Sequence, residues 1–141
     1  MCSSDLVFEL FHGSTCVFKD FGARFMARLM AYFNRDEKEN LHILVATSGD
    51  TGSAVGSAFQ DIDGISVTIL YPKGKISRLQ EKQLSTFTGN VRSLAVEGTF
   101  DDCQRLVKTA FTDQKLRKAF RLLLANYINI ARLSLDRKSV V

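Results

Sequence analysis

Short apolar runs separated by segments of helical period constrain the fold more than any other feature of this chain. Residues 43–46 and 65–70 read as buried strands, with 91–96 as a third. Between the first two, residues 51–60 place Ala54, Val55, Ala58 and Phe59 on one helical face. The stretch after Pro72 sets Ile76, Leu79, Leu84 and Phe87 at helical spacing, and Ser77 followed by Gln80 fits a capping box. Residues 101–111 repeat the helical pattern with Cys103, Leu106, Val107, Ala110 and Phe111. Ahead of the first strand a helix is predicted over 19–34, its stripe of Phe25, Met26, Leu29, Met30 and Phe33 assigned to the core. Strand and helix in strict alternation imply right-handed crossovers and a parallel sheet with helices on its faces.

In such a sheet ligands bind beyond the carboxyl ends of the strands. The loop after the first strand, Thr47-Ser48-Gly49-Asp50-Thr51-Gly52, is therefore the place for a site. Its glycines let the backbone turn sharply, and the free N–H groups of a helix start, with the Ser48 and Thr51 hydroxyls, can grip a carboxylate or phosphate. The bland alternative is a tight turn with Ser48 or Asp50 as helix N-cap. Two phosphate motifs are excluded. The loop does not match GxGxxG, and Gly74-Lys75 is followed by Ile76 without the upstream glycine of a P-loop.

A second candidate is Lys19, flanked by Phe18 and Phe21 at a predicted helix start. A lysine amine becomes nucleophilic when it is desolvated or placed beside positive charge. Phe18 and Phe21 would supply an apolar wall, and the helix start partial positive charge. The alternative is a surface lysine in a first turn.

Other classes receive little support. The formal charge of +4 comes from basic residues scattered along predicted helices, densest at Lys115-Leu116-Arg117-Lys118 and Arg137-Lys138, which fits solvated faces rather than nucleic acid. No apolar run is long enough to cross a membrane, and residues 1–11 lack the basic start of a signal peptide, so a cytoplasmic protein is expected. Cys2, Cys16 and Cys103 have no CxxC spacing and make no metal pattern with His12 and His42. No metal and no disulfide is expected, with Cys103 on a core helix face and Cys16 in local packing.

Five blocks in order resemble the threonine synthase family. Glu9-Leu10-Phe11-His12-Gly13-Ser14-Thr15-Cys16-Val17-Phe18-Lys19-Asp20-Phe21-Gly22 is similar to the family's E-L-F-H-G-P-T-x-A-F-K-D-F-G. Ala46 to Ala54 is similar to A-T-S-G-D-T-G-x-A, and Leu70 to Lys82 to L-Y-P-x-G-x-I-S-x-x-Q-E-K. Gly98 to Phe111 and Ala125 to Leu133 resemble G-x-F-D-x-C-Q-x-L-V-K-x-A-F and A-N-S-I-N-I-A-R-L. Together the blocks run from Phe8 to Leu133.

The resemblance implies an α/β fold, a three-layer αβα parallel sheet of the tryptophan-synthase-β-like, fold type II pyridoxal-phosphate kind, here incomplete. It implies residues 1–133 as a partial catalytic domain and 134–141 as a divergent tail. It also implies a pyridoxal 5'-phosphate-dependent lyase that converts O-phospho-L-homoserine and water to L-threonine and phosphate. Lys19 would carry the cofactor and move protons on the substrate, and Asp50 would face the cofactor ring. Ser48, Gly49 and Thr51 would hold the substrate carboxylate, and Asn126 and Arg132 its phosphate. Ser14 stands where the family has Pro, and Tyr127 replaces Ser between Asn126 and Arg132. Family members are several times longer and carry a later glycine-rich loop for the cofactor phosphate. The alternatives are an inactive truncated synthase-like domain, or another fold type II lyase such as a threonine or serine dehydratase. A domain cut in this way is expected to self-associate through exposed apolar surface.

Overall fold

The computed structural model describes residues 9–125. Helix α1 (Lys19–Asn34) precedes strand β1 (Leu41–Ala46), helix α2 (Asp50–Phe59) and strand β2 (Ile65–Pro72). Helix α3 (Arg78–Ser85), strand β3 (Val91–Val96), helix α4 (Phe100–Thr112), the short helix α5 (Gln114–Ala119) and strand β4 (Arg121–Leu124) follow. The four strands form one parallel sheet in the order β3-β2-β1-β4. The α/β, three-layer expectation holds. Strand β4 was not anticipated, because Arg121–Leu124 has no alternation and little length to mark it.

Alternation along β1 sorts the two faces. Leu41, Ile43 and Val45 join Ile65, Val67 and Ile69 of β2 beneath α1, α2 and α3. Leu44, Ala46 and Leu70 face the other way, onto Cys103 and Val107 of α4. Both faces are covered, so the strands read as continuous apolar runs. Helix α2 is buried on most of its surface. Gly52 packs directly on Thr47 and Ile69, and Gly56 on the Phe87 ring, and a Cβ at either would collide.

Polar side chains fix the amino end of the sheet. Asn90 Nδ2 reaches the carbonyls of Phe59, Ile62 and Ile65 at 2.8, 3.2 and 2.9 Å, while its Oδ1 accepts from Asp61 N–H. Asn34, at the last residue of α1, donates to the Gly64 carbonyl at 3.1 Å and accepts from Arg121 at 3.0 Å. The carboxy-terminal ends of α1 and α2 are therefore both tied to the entry of β2. Both helices run against the strands, and their amino-terminal ends lie toward the carboxyl ends of the strands.

Helix starts follow the sequence. Ser77 and Gln80 form the expected capping box, and Thr99 with Asp102 forms a second. Hydrogen bonds from the Thr99 N–H and hydroxyl hold the Asp102 carboxyl below its ordinary pKa of 3.8. Burial pushes the Cys103 thiol upward, which marks it as packing rather than chemistry.

Several apolar assignments need correction. In α1 the buried positions are Ala23, Met26 and Ala27, while Phe25 and Phe33 are exposed. Of the expected stripe, Met26 is buried and Met30 packs against the core, whereas Phe25 and Phe33 lie on a second apolar flank, because α1 carries apolar residues on two sides. Leu79 and Leu106 are also exposed, since α3 and α4 each bury a narrow face around Leu84 or Cys103 and Val107. Cys16 is exposed with a left-handed φ of 59°, a turn residue rather than a packed one. Among the described residues no helix is long and apolar enough to cross a membrane.

Replacing fully buried Phe59 by Ala should lower stability by ~3–5 kcal/mol in urea unfolding. The Asp102 cap depends on pH. Its folded pKa is depressed, so its contribution is present above the unfolded value near 3.8 and is lost as pH falls through the folded value. Asp102→Asn should therefore be less stable than wild type at neutral pH, with the gap closing in acid.

Candidate active site

Strand order reverses at β1. From β1 the sheet grows outward through β2 and β3 with helices on one face. It then returns through α4 to β4 on the other side of β1. A crevice for a ligand opens at such a switch point, beyond the carboxyl ends of the two strands that flank it. Here that position lies between the loop after Ala46 and Ala125, whose N–H donates to the Leu44 carbonyl at 3.3 Å.

The loop after β1 is built around Thr47. This residue is buried, its N–H donates to the Leu70 carbonyl at 2.9 Å, and its hydroxyl oxygen accepts from Gly49 N–H at 3.0 Å and Gly52 N–H at 2.9 Å. One side chain thus folds the turn and satisfies two backbone donors at the start of α2. The N-cap is Gly49 itself, at φ 134°. That corrects both alternatives, Ser48 and Asp50, and starts the helix at Asp50 rather than Thr51. Neither side chain caps, so Ser48 and Asp50 remain exposed beside the turn. No described residue accepts from the N–H groups of Asp50 and Thr51, which leaves two donors at the helix start for an anion.

Gln80 was not singled out from the sequence as a site residue, beyond its capping role. Its Nε2 donates to Asp50 Oδ1 at 2.7 Å, and its Oε1 accepts from Ser77 N–H at 3.0 Å. The amide lies over the Gly49 Cα, where any side chain at 49 would meet it. A capping residue of α3 therefore also orients the Asp50 carboxylate, a link between segments 30 residues apart.

Lys19 opens α1 and is half-buried, with its ammonium 5.8 Å from the centre of the Phe18 ring. The expected apolar wall is open: Phe18 and Phe21 are both exposed. What holds Lys19 in place is its neighbour. Asp20 is buried, and its carboxylate accepts from the Thr15 N–H at 2.8 Å and from the Thr15 hydroxyl. Gly13 lies against the same carboxylate and has no room for a Cβ. The turn before α1 wraps a charged group that sequence reasoning passed over, and the signal was a carboxylate in the first helical turn with Thr and Gly upstream. Ser14 joins this turn to α2 through Ser57 at 2.7 Å.

The fold thus sets Lys19 and the Ser48, Gly49, Asp50 and Thr51 loop at the starts of two helices packed on one face of the sheet. No hydrogen bond between described residues joins Lys19 to that loop. Asn126, Arg132 and the 134–141 tail lie outside the described residues. An open concavity lined by Asp101, Arg105 and Lys108 runs along α4, on the opposite face and apart from these groups. Among the described residues no cluster of His, Cys, Asp and Glu could hold a metal.

This architecture is that of fold type II pyridoxal-phosphate enzymes. Diaminopropionate ammonia lyase from Escherichia coli shares the fold over 79% of this chain and 28% of its own, at TM-score 0.54 and 19% identity. Threonine synthase matches in sequence as well as fold. Pyridoxal-phosphate-bound threonine synthase from Brucella melitensis superposes at TM-score 0.83 with 45% identity, over 90% of this chain and 28% of that one. Threonine synthase from Buchnera aphidicola subsp. Baizongia pistaciae is 56% identical over 126 residues, 89% of this chain. The chain spans about 29% of the length of that relative, and across this segment it is homologous to threonine synthases. No family model matches it.

Replacing Thr47 by Val removes the acceptor shared by two buried N–H groups and should cost ~1–3 kcal/mol in urea unfolding. Thr47→Ser, which keeps the hydroxyl, should lose clearly less.

Proposed function

We propose that this chain is a segment of a threonine synthase catalytic domain, over residues 1–133, and that it acts on O-phospho-L-homoserine. The whole reaction adds water to that substrate and releases L-threonine and phosphate, a carbon–oxygen lyase reaction placed in the cytoplasm. The observation that supports the reading is that Lys19 and the 48–51 loop stand at the starts of two helices packed on one face of a parallel sheet, in a segment 56% identical to a threonine synthase.

The residues present fit pyridoxal 5'-phosphate at its amine-linked end. Lys19, half-buried as a residue, offers an amine at a helix start whose preceding turn is locked by Asp20. Gly49 turns the backbone at a positive φ that opens α2 at Asp50, and Asp50 presents a carboxylate held by Gln80. When bound, the cofactor supplies an electron sink that stabilises negative charge on the substrate carbons. The chain's own groups do the rest. The Lys19 amine takes and returns protons at the substrate's α, β and γ carbons. The N–H groups of residues 50 and 51, with the Ser48 and Thr51 hydroxyls, hold the substrate carboxylate beside Gly49. Asn126 and Arg132 follow β4 in the chain, and a guanidinium there suits a phosphate. Self-association through exposed apolar surface belongs to the same reading.

The test is incubation of the purified chain with pyridoxal phosphate, borohydride reduction and peptide mapping. A single adduct at Lys19, absent in Lys19→Ala, is the expected outcome. Labelling spread over many lysines, or unchanged in the variant, would refute the assignment of Lys19.

A further inference from the structure

Helix α2 opens on a conflict. Its first residue, Asp50, carries a carboxylate, and the N–H groups of Asp50 and Thr51 have no acceptor among the described residues. A carboxylate in a first turn is drawn to such donors by their partial positive charge and by its short reach to neighbouring backbone. An Asp50 side chain folded onto them would occupy the place that the preceding reading gives to the substrate carboxylate. In the structure it is not folded there. Its Oδ1 accepts instead from Gln80 Nε2 at 2.7 Å.

Gln80 is itself held in one orientation. Its Oε1 accepts from the Ser77 N–H at 3.0 Å, and its own N–H donates to Ser77 Oγ at 3.2 Å. With the oxygen committed to the cap, the amide can present only its NH2 group to Asp50. A flipped amide would set Oε1 against the carboxylate and Nε2 against the Ser77 N–H, two like-signed contacts at once. The capping box is anchored in turn by the core: Leu84 of α3 is fully buried, and Ile76, just ahead of the box, packs on the same cluster. Gly49 completes the arrangement. At φ 134° it turns the chain into α2, and without a Cβ it lets the Gln80 amide lie across its Cα. The donor that Asp50 meets therefore belongs to a neighbouring helix rather than to its own.

We propose that Gln80 is a positioning residue for this site: it tethers the Asp50 carboxylate to α3 and so keeps the Asp50 and Thr51 N–H groups open for an incoming carboxylate. The proposal rests on the reading of the 48–51 loop as a carboxylate site, and a ligand-free signal tests the tether separately.

Backbone amide NMR of the whole chain supplies that signal. In Q80A the Asp50 side chain is released, so the Asp50 or Thr51 amide proton should move downfield and follow the titration of a carboxylate. In D50A/Q80A the shift should vanish. Q80E separates positioning from capping, because glutamate serves a capping box as well as glutamine but offers Asp50 no donor. It should leave the Ser77 amide as in wild type while shifting residues 50 and 51 as Q80A does. Acetate reads the consequence. Q80A should bind it about fivefold more weakly than wild type, the effect of one competing hydrogen bond, and D50A/Q80A should recover most of that loss. Residue 50 and 51 amides that stay unchanged in Q80A, or that Q80E returns to wild type, would overturn the proposal. So would a loss of acetate affinity that removing the Asp50 carboxylate does not restore. Wild-type amides that ignore acetate, in a chain whose Q80A amides do shift, would refute the carboxylate reading of the loop while the tether stands.

Discussion

Strand β1 is paired on both edges and covered on both faces, and the placement of every candidate group depends on it. Its left and right neighbours, β2 and β4, are reached by crossovers over opposite faces of the sheet. That reversal leaves the carboxyl end of β1 free of any chain crossing above it. The loop that follows is thereby forced into the one position where backbone donors can meet a ligand without losing sheet hydrogen bonds. Buried apolar side chains such as Ile43 and Val45 hold β1 in register, so the loop geometry is inherited from the core.

Polar groups at the site are arranged by residues that would not themselves contact a ligand. Thr47 shapes the turn by accepting from two glycine N–H groups. Gln80 serves the cap of α3 and the Asp50 carboxylate at once. Asp20 plays the corresponding part for Lys19, since the turn that carries residues 13–15 is wound around its carboxylate. Each arrangement uses a buried or half-buried polar side chain with its hydrogen bonds satisfied. Such groups hold a geometry firmly, because an unpaired donor or acceptor there is costly.

The far side of α1 obeys a different rule. Its core face is satisfied by Ala23, Met26 and Ala27, small or flexible residues that let α1 lie close to α2. The larger aromatics were kept for the outside, where they cannot be explained by the fold of the described residues.

The amino-acid sequence by itself determined the alternation of strands and helices, the parallel sheet, the capping box at Ser77 and the family resemblance around Lys19 and the Ser48–Thr51 loop. These are local signals: periodicity, turn chemistry and contiguous motifs survive without knowledge of what packs where. Tertiary structure alone decided which of the two apolar faces of α1 is core, since both have helical period and only packing against α2 distinguishes them. It also decided that Gly49 caps α2, that Arg121–Leu124 adds a strand beside β1, and that Gln80 meets Asp50 across 30 residues. Those outcomes depend on contacts between segments distant in sequence, and no local pattern encodes the distance between them.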